Sequence, residues 1–189
     1  AFSADQLLEK VNTYLATMPY VREPKGLYAP IEYVLSLGGK RIRPVLMLLS
    51  YQLYKENVDD ILPQAAGIET YHNYTLLHDD LMDCAQLDME FETRNDVTVP
   101  EYMEMIRLKT SVLLSAALKI GAVLGGASED DARKLYDFGI KMGLAFQLQD
   151  DYLDVYGDSK VFGKNIGGDI LCNKKTFMLI NALALADGI

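Results

Sequence analysis

The sequence predicts a nearly all-helical protein, and three observations carry that expectation. Apolar residues recur at i, i+3 and i+4, while strand-like alternation is hard to find. Leu, Ala, Met, Glu and Lys are frequent, and there is no Trp. The 189 residues are half hydrophobic, enough for one domain with a sizeable core. Taken in order, Ser3 can cap a first helix, ADQLLEKVNTYLATM. The proline-rich PYVREPKGLYAP reads as a connection to a short second helix near Ile31 to Leu37. After the break LGGKR, Pro44 suits the first turn of a third helix reaching about Lys55, because its missing N–H is not needed there. A long helix follows from about Pro63 to Asp83. Pro100 opens another through roughly Gly121. Ser128 with the acids behind it starts a helix that ends near Gly157, since acids in a first turn suit the helix dipole. GKNIGGD reads as a loop and KKTFMLINALALA as a final helix.

The net charge of −9 argues against a general nucleic-acid binder. Two cysteines, Cys84 and Cys172, are too few for a disulfide framework and form no CxxC, which fits a reducing, cytoplasmic setting. The apolar run from Thr110 to Ser128 contains Lys119 and reads as a buried core helix rather than a transmembrane segment. No signal peptide is visible.

The informative feature is an echo. TLLHDDLMD places Asp79, Asp80 and Asp83 together, and FQLQDDYLD repeats the pattern with Asp150, Asp151 and Asp154. On a helix, i and i+4 share a face about 6 Å apart, so each cluster presents a pair of carboxylates. An acidic cluster is ordinarily a solvated face, but both of these are flanked by apolar residues. If both faced one cavity, their mutual repulsion would demand something positive between them. Hard oxygen ligands with open positions suit Mg2+, which keeps waters and bridges substrate phosphates. A di-iron site needs Glu-x-x-His on two helices; Glu69 and His72 supply one match, and His78 supplies none.

Cations accompany the acids. GGKRIRP sets Lys40, Arg41 and Arg43 beside two glycines, where backbone N–H groups and side chains can approach a phosphate together, although no Walker loop is present. RLKTS puts Lys109 and Thr110 in an apolar helix, and Lys164, Lys174 and Lys175 follow in loops. Solvated lysines, a snorkelling Lys109 and a packed Thr110 are the bland alternatives.

Together, GGKRIRP, LLHDDLMD, LDMEFE, RLKTS, FQLQDDYLD and FGKNIGGD resemble, in order, the motifs of the trans-isoprenyl diphosphate synthases, or polyprenyl synthetases. The resemblance implies an all-α isoprenoid-synthase-type bundle around a central cavity, joining isopentenyl diphosphate head-to-tail to an allylic diphosphate. It implies Mg2+ ligands at Asp79, Asp80, Asp83, Asp150, Asp151 and Asp154, with three ions when substrate is bound. It implies an isopentenyl diphosphate site at Lys40, Arg43 and His72. The allylic substrate falls to Lys109, Thr110, Gln147, Lys164 and Lys174; Lys109, Thr110, Gln147 and Lys164 are also expected to be catalytic. Tyr74 and Thr75, about one turn below Asp79, are expected to set a short product of C15 to C20. A homodimer is expected.

The chain also departs from the family. An Arg-Arg-Gly element that follows the first cluster is absent, and about two helices are missing between Asp83 and Gln86. The final helix stops where relatives continue. The expectation is one polyprenyl synthetase domain over residues 1–189, incomplete near 83–86 and at its C-terminal end. A non-catalytic subunit of a heteromeric synthase and a class I terpene cyclase are the rival readings. The pure acidity of DDYLD argues against the cyclase.

Overall fold

A computed structural model of the chain describes residues 1–81, 91, 93–157, 167–172 and 174–186, with the side chains of Leu27 and residues 77–81 outside the description. The described residues are overwhelmingly helical, and no strand occurs among them. The helices are α1 (Ala4–Thr17), α2 (Lys25–Ser36), α3 (Ile42–Gln52), α4 (Leu62–Leu81), α5 (Val99–Ile106), α6 (Val112–Gly125), α7 (Glu129–Tyr156), α8 (Gly168–Leu171) and α9 (Phe177–Ala186). A 3₁₀ turn at Val58–Ile61 precedes α4, and a π-turn at Arg107–Ser111 lies between α5 and α6. The chain divides into two compact units, one of Ala1–Leu81 with Leu113–Gly139, the other of Met82–Val112 with Ile140–Ile189.

In the first unit, Leu7, Val11 and Leu15 repeat every fourth residue along α1 and are buried. They pack with Met47, Leu48 and Tyr51 of α3, and with Val58, Ile61, Ala65, Ala66 and Ile68. Each fully buried Leu or Met is worth about 1.5–3 kcal/mol relative to exposure. The start of α1 is fixed by a capping box: Gln6 N donates to Ser3 Oγ and Ser3 N donates to Gln6 Oε1. Helices α3 and α6 approach closely at Gly121, where a Cβ would stand 2.1 Å from the Met47 carbonyl oxygen. Ser50 Oγ donates to Leu118 O across the same contact, at 2.5 Å.

In the second unit, Phe91, Val97, Tyr102, Met105, Ile106 and Ile180 form a buried cluster with Leu144, Leu148 and Phe177. A second capping box starts α5: Glu101 N donates to Thr98 Oγ1, and Thr98 N donates to Glu101 Oε2, with Pro100 in the first turn. Gly143 lets α7 lie against the π-turn, because a Cβ there would come within 2.6 Å of Ser111 Cα.

Several element boundaries differ from the sequence expectation. Helix α2 begins at Lys25, after Pro24, and carries Pro30 inside it. The sequence suggests a connection up to Pro30, yet Pro30 removes only one hydrogen-bond donor in the first half of the helix and the helix continues through it. Helix α3 ends at Gln52 rather than near Lys55. The last helix starts at Phe177: Lys174 N donates to Asp169 O and Leu179 N to Thr176 Oγ1, so KKT belongs to a turn and cap. Part of the expected loop GKNIGGD is helical, since α8 begins at Gly168. The helical run Val99–Gly125 is long and apolar enough to cross a membrane by length and composition alone. Its α6 part buries Leu114, Ser115, Ala117, Leu118, Gly121, Ala122 and Gly125 and exposes Ile120, Val123 and Leu124, so it is buried on one face only.

Candidate active site

The first unit contains a cavity of about 240 Å³ lined by Gly38, Gly39, Lys40, Arg43, Glu69, His72 and Asn73. The loop before α3 makes it. Gly38 and Gly39 take φ values of 77° and 142°, which residues with a Cβ rarely adopt. Arg41 follows at φ 45° and is the helix N-cap. A non-glycine residue in the left-handed region costs about 1–2 kcal/mol, and the contacts of its side chain offset that cost. Arg41 Nη1 donates to Glu69 Oε1 at 2.8 Å, Nη2 to Leu35 O at 2.5 Å and Nε to Asn12 Oδ1 at 3.4 Å. Asn73 Nδ2 donates to both the carbonyl and the carboxylate of Glu69. The Arg41 and Glu69 side chains are 3% and 6% exposed.

Arg41, held by these contacts, lines the cavity together with its neighbours Lys40 and Arg43. Arg43 Nε is buried with no hydrogen-bond partner among the described residues. Burial pulls the Arg43 guanidinium below its ordinary value, and the Glu69 charge opposes that. A partly desolvated guanidinium with an unsatisfied Nε, beside Lys40 and His72, is what an anion would satisfy.

The second unit contains a cavity of about 400 Å³. From α5 and the π-turn come Tyr102 and Lys109; from α7 come Gln147, Asp150, Asp151 and Asp154; from the turn after α8 come Lys174, Lys175 and Thr176. A π-turn inserts an extra residue per turn and is frequent at functional sites. Here it carries Lys109 and Thr110, and Thr110 Oγ1 donates to Gln147 Oε1 at 3.3 Å.

The second acidic cluster divides its work. Asp151 is 2% exposed, and both of its oxygens are engaged. Oδ1 accepts from Gln147 Nε2 at 3.2 Å. Oδ2 accepts from the Tyr102 hydroxyl and from Phe177 N. Burial pushes the Asp151 carboxyl above its ordinary value, and those three donors pull it back. Asp154 is also buried and pins the GGD turn, with its Oδ2 accepting from Asp169 N at 3.1 Å and its carbonyl from Gly167 N at 2.7 Å. Asp169 in turn pairs with Lys174 at 3.0 Å. Asp150 is half-buried and lines the cavity.

No group of three or more His, Cys, Asp and Glu side chains is close enough to cage a metal among the described residues. The donor set instead suits a hard cation that takes one carboxylate from the protein and the rest of its oxygens from water and a phosphate, which is how Mg2+ is commonly held. The lysines around Asp150 fit the same phosphate.

Of the other expected site residues, Asp79 and Asp80 lie on the last turn of α4 with side chains outside the description, and Asp83 and Lys164 lie outside the described residues. Tyr74 is 59% exposed, so it is no part of the first unit's core, and Thr75 Oγ1 donates to His72 O at 2.8 Å. Sequence reading missed Tyr102, the Arg41–Glu69 pair and the burial of Lys175. The signal available for Tyr102 was a lone tyrosine two turns before Lys109, flanked by Glu101 and Glu104.

Fold and sites together define an all-α protein whose first unit carries an anion-binding cavity and whose second carries an acid–lysine cavity, each suited to phosphate-bearing ligands. The polyprenyl synthetase family pattern matches residues 24–87 and 84–188, and the chain belongs to that family. It is 34% identical to the short chain isoprenyl diphosphate synthase of Methanocaldococcus jannaschii, covering 96% of this chain and 73% of that protein. That match runs over 241 residues, more than the 189 of this chain. A crystal structure of a geranylgeranyl pyrophosphate synthase superposes with a TM-score of 0.86 at 37% identity, over 99% of this chain and 75% of that one. The polyprenyl synthase of Caulobacter crescentus, complexed with calcium and isoprenyl diphosphate, gives 0.79 at 25% identity, over 97% and 75%.

Proposed function

We propose that the chain is a prenyltransferase condensing isopentenyl diphosphate head-to-tail with an allylic diphosphate to a short-chain product of C15 to C20. The observation that carries this reading is the second unit's cavity, lined by Asp150, Lys109, Lys174 and Gln147, with Thr110 hydrogen-bonded to Gln147. The matching relatives, a short-chain synthase and a geranylgeranyl synthase, support the class.

Bound Mg2+ would supply charge neutralisation for the departing diphosphate. Asp150 would hold it, with Asp79, Asp80 and Asp83 in the same role by family membership, while Asp151 and Asp154 support the site from behind. Lys109 and Lys174, with Lys164, bind the allylic diphosphate and favour ionisation of its C–O bond. The Thr110 and Gln147 oxygens face the resulting cation as dipoles that do not trap it. Lys40, Arg43 and His72 bind the diphosphate of the second substrate and present its double bond. The proton lost at the end goes to the departing diphosphate.

Incubation with labelled isopentenyl diphosphate, an allylic diphosphate and Mg2+ tests the reading. Longer diphosphates are expected. Hydrocarbons would mean a cyclase, and no product would mean a non-catalytic subunit.

Tyr74 is proposed to limit product length. Its exposure in the chain removes core packing as its role. Tyr74→Ala is expected to lengthen the product by at least one C5 unit on reversed-phase chromatography, and an unchanged distribution would rule the residue out.

The chain is proposed to be one polyprenyl synthetase domain lacking a segment near 83–86. The excess of matched length over chain length supports this, as do two family matches that meet at 84–87. A cytoplasmic homodimer is proposed, with Ile120, Val123 and Leu124 of α6 as exposed apolar surface available to a second copy.

A further inference from the structure

We infer that Tyr102 is a positioning residue: through Asp151 it fixes which way the Gln147 amide points. The inference rests on the proposed role of Gln147 at the reacting carbon. A glutamine amide is nearly symmetric in shape and opposite in polarity at its two ends, so its neighbours must choose the orientation. An ionised carboxylate only accepts hydrogen bonds. Asp151 Oδ1, 3.2 Å from Gln147 Nε2, therefore draws the NH2 end toward itself. That leaves Oε1 toward Thr110 Oγ1, 3.3 Å away, on the π-turn that also carries Lys109. The reversed amide would set two acceptors against each other at Asp151 and aim N–H groups at the developing cation.

Asp151 can choose only if it is itself held. It sits on α7 one turn beyond Gln147, and its far oxygen, Oδ2, accepts from the Tyr102 hydroxyl of α5 and from Phe177 N at the start of α9. Tyr102 is 2% exposed, so water does not replace its hydroxyl. Three helices thus meet on one carboxylate, and the chain Tyr102–Asp151–Gln147–Thr110 ends at the substrate side. Asp151 acts as an orienter and leaves cation binding to Asp150.

The test uses Tyr102→Phe and Asp151→Asn in the full chain. Expected for Tyr102→Phe is a fall in kcat of about tenfold, the lower end of what outer-shell orienting groups are worth. KM for both diphosphates and the half-saturating Mg2+ concentration should move less than twofold. In a Gln147→Leu background the further effect of Tyr102→Phe should vanish, because the two act through one amide. Independently of turnover, the side-chain NH2 resonances of Gln147, assigned by their loss in Gln147→Leu, should shift in Tyr102→Phe. Asp151→Asn should reproduce the kcat loss without a change in Mg2+ dependence. Wild-type kcat and unmoved Gln147 resonances in Tyr102→Phe would overturn the inference, as would additive effects with Gln147→Leu. A tenfold or larger rise in half-saturating Mg2+ for Asp151→Asn would make Asp151 a ligand and overturn it too. If the wild-type chain forms no longer diphosphate, the prenyltransferase reading fails, while the resonances still report whether Tyr102 orients the amide.

Discussion

Glu69→Ala is expected to destabilise the protein by about 3–5 kcal/mol, the usual consequence of stripping one partner from a buried ion pair. The Glu69 side chain is 6% exposed and its only cationic partner at salt-bridge distance among the described residues is Arg41, 2.8 Å away. Without it, a guanidinium that is 3% exposed keeps two polar contacts, to Leu35 O and Asn12 Oδ1, and has no counter-charge. In the intact protein the three contacts of Arg41 tie α1, α2 and α4 to the residue that opens α3. The left-handed backbone at Arg41 would then lose its main support, and Lys40 and Arg43 would lose their placement. Thermal unfolding should drop by on the order of 10 °C, since each kcal/mol moves a chain of this size by about 2–4 °C. Glu69→Gln keeps the acceptor oxygen and should cost less. In a double-mutant cycle, Arg41→Ala with Glu69→Ala should cost clearly less than the sum of the two, because removing both groups leaves no stranded charge. A Glu69→Ala variant that melts within a degree or two of wild type would show that the pair contributes nothing.

That pair marks the boundary of what could be read from residues alone. The helical class was legible because the apolar period is local, and the caps at Ser3 and Ser128 are local as well, while the cap at Thr98 lies two residues before the Pro100 that marked that helix. Lys40, Arg41 and Arg43 were legible as a cationic loop, but three cations in four residues look alike in sequence. Which one turns inward depends on Glu69, twenty-eight residues further on. The same limit applied to the acids. The spacing of Asp150, Asp151 and Asp154 made them a cluster, and helical geometry set Asp150 and Asp154 on one face. It could not show that Asp154 is occupied by the turn at Gly167–Asp169, or that Asp151 is held by Tyr102 and Phe177. Those partners come from elements far away in the chain. The π-turn at RLKTS was hidden for another reason: its residues have ordinary helix propensity, and close packing of the turn on Gly143 accompanies the irregularity.

Asp150→Asn is expected to lower kcat by about three orders of magnitude, some 4 kcal/mol of transition-state stabilisation. A divalent cation that keeps waters and bridges a phosphate needs a carboxylate reachable from solvent; in the second cluster Asp150 is half-buried, whereas Asp151 and Asp154 are 2% and 8% exposed. Asp151 has both oxygens committed, and Asp154 spends its Oδ2 on the backbone of Asp169. Asp150 lines the cavity with Lys109 and Lys174. Asparagine keeps the shape and one oxygen but removes the charge, so the fold should survive with thermal unfolding within a few degrees of wild type. The loss should appear in two measurements. Turnover should fall steeply, and Mg2+-dependent binding of inorganic pyrophosphate, followed by calorimetry, should weaken about tenfold or more. Asp154→Asn should behave differently: its amide can still present an oxygen to Asp169 N, and the half-saturating Mg2+ concentration should stay near that of wild type. Should Asp150→Asn leave both turnover and pyrophosphate binding intact, the cation would have to be held elsewhere, and the division of labour assigned to this helix would be wrong.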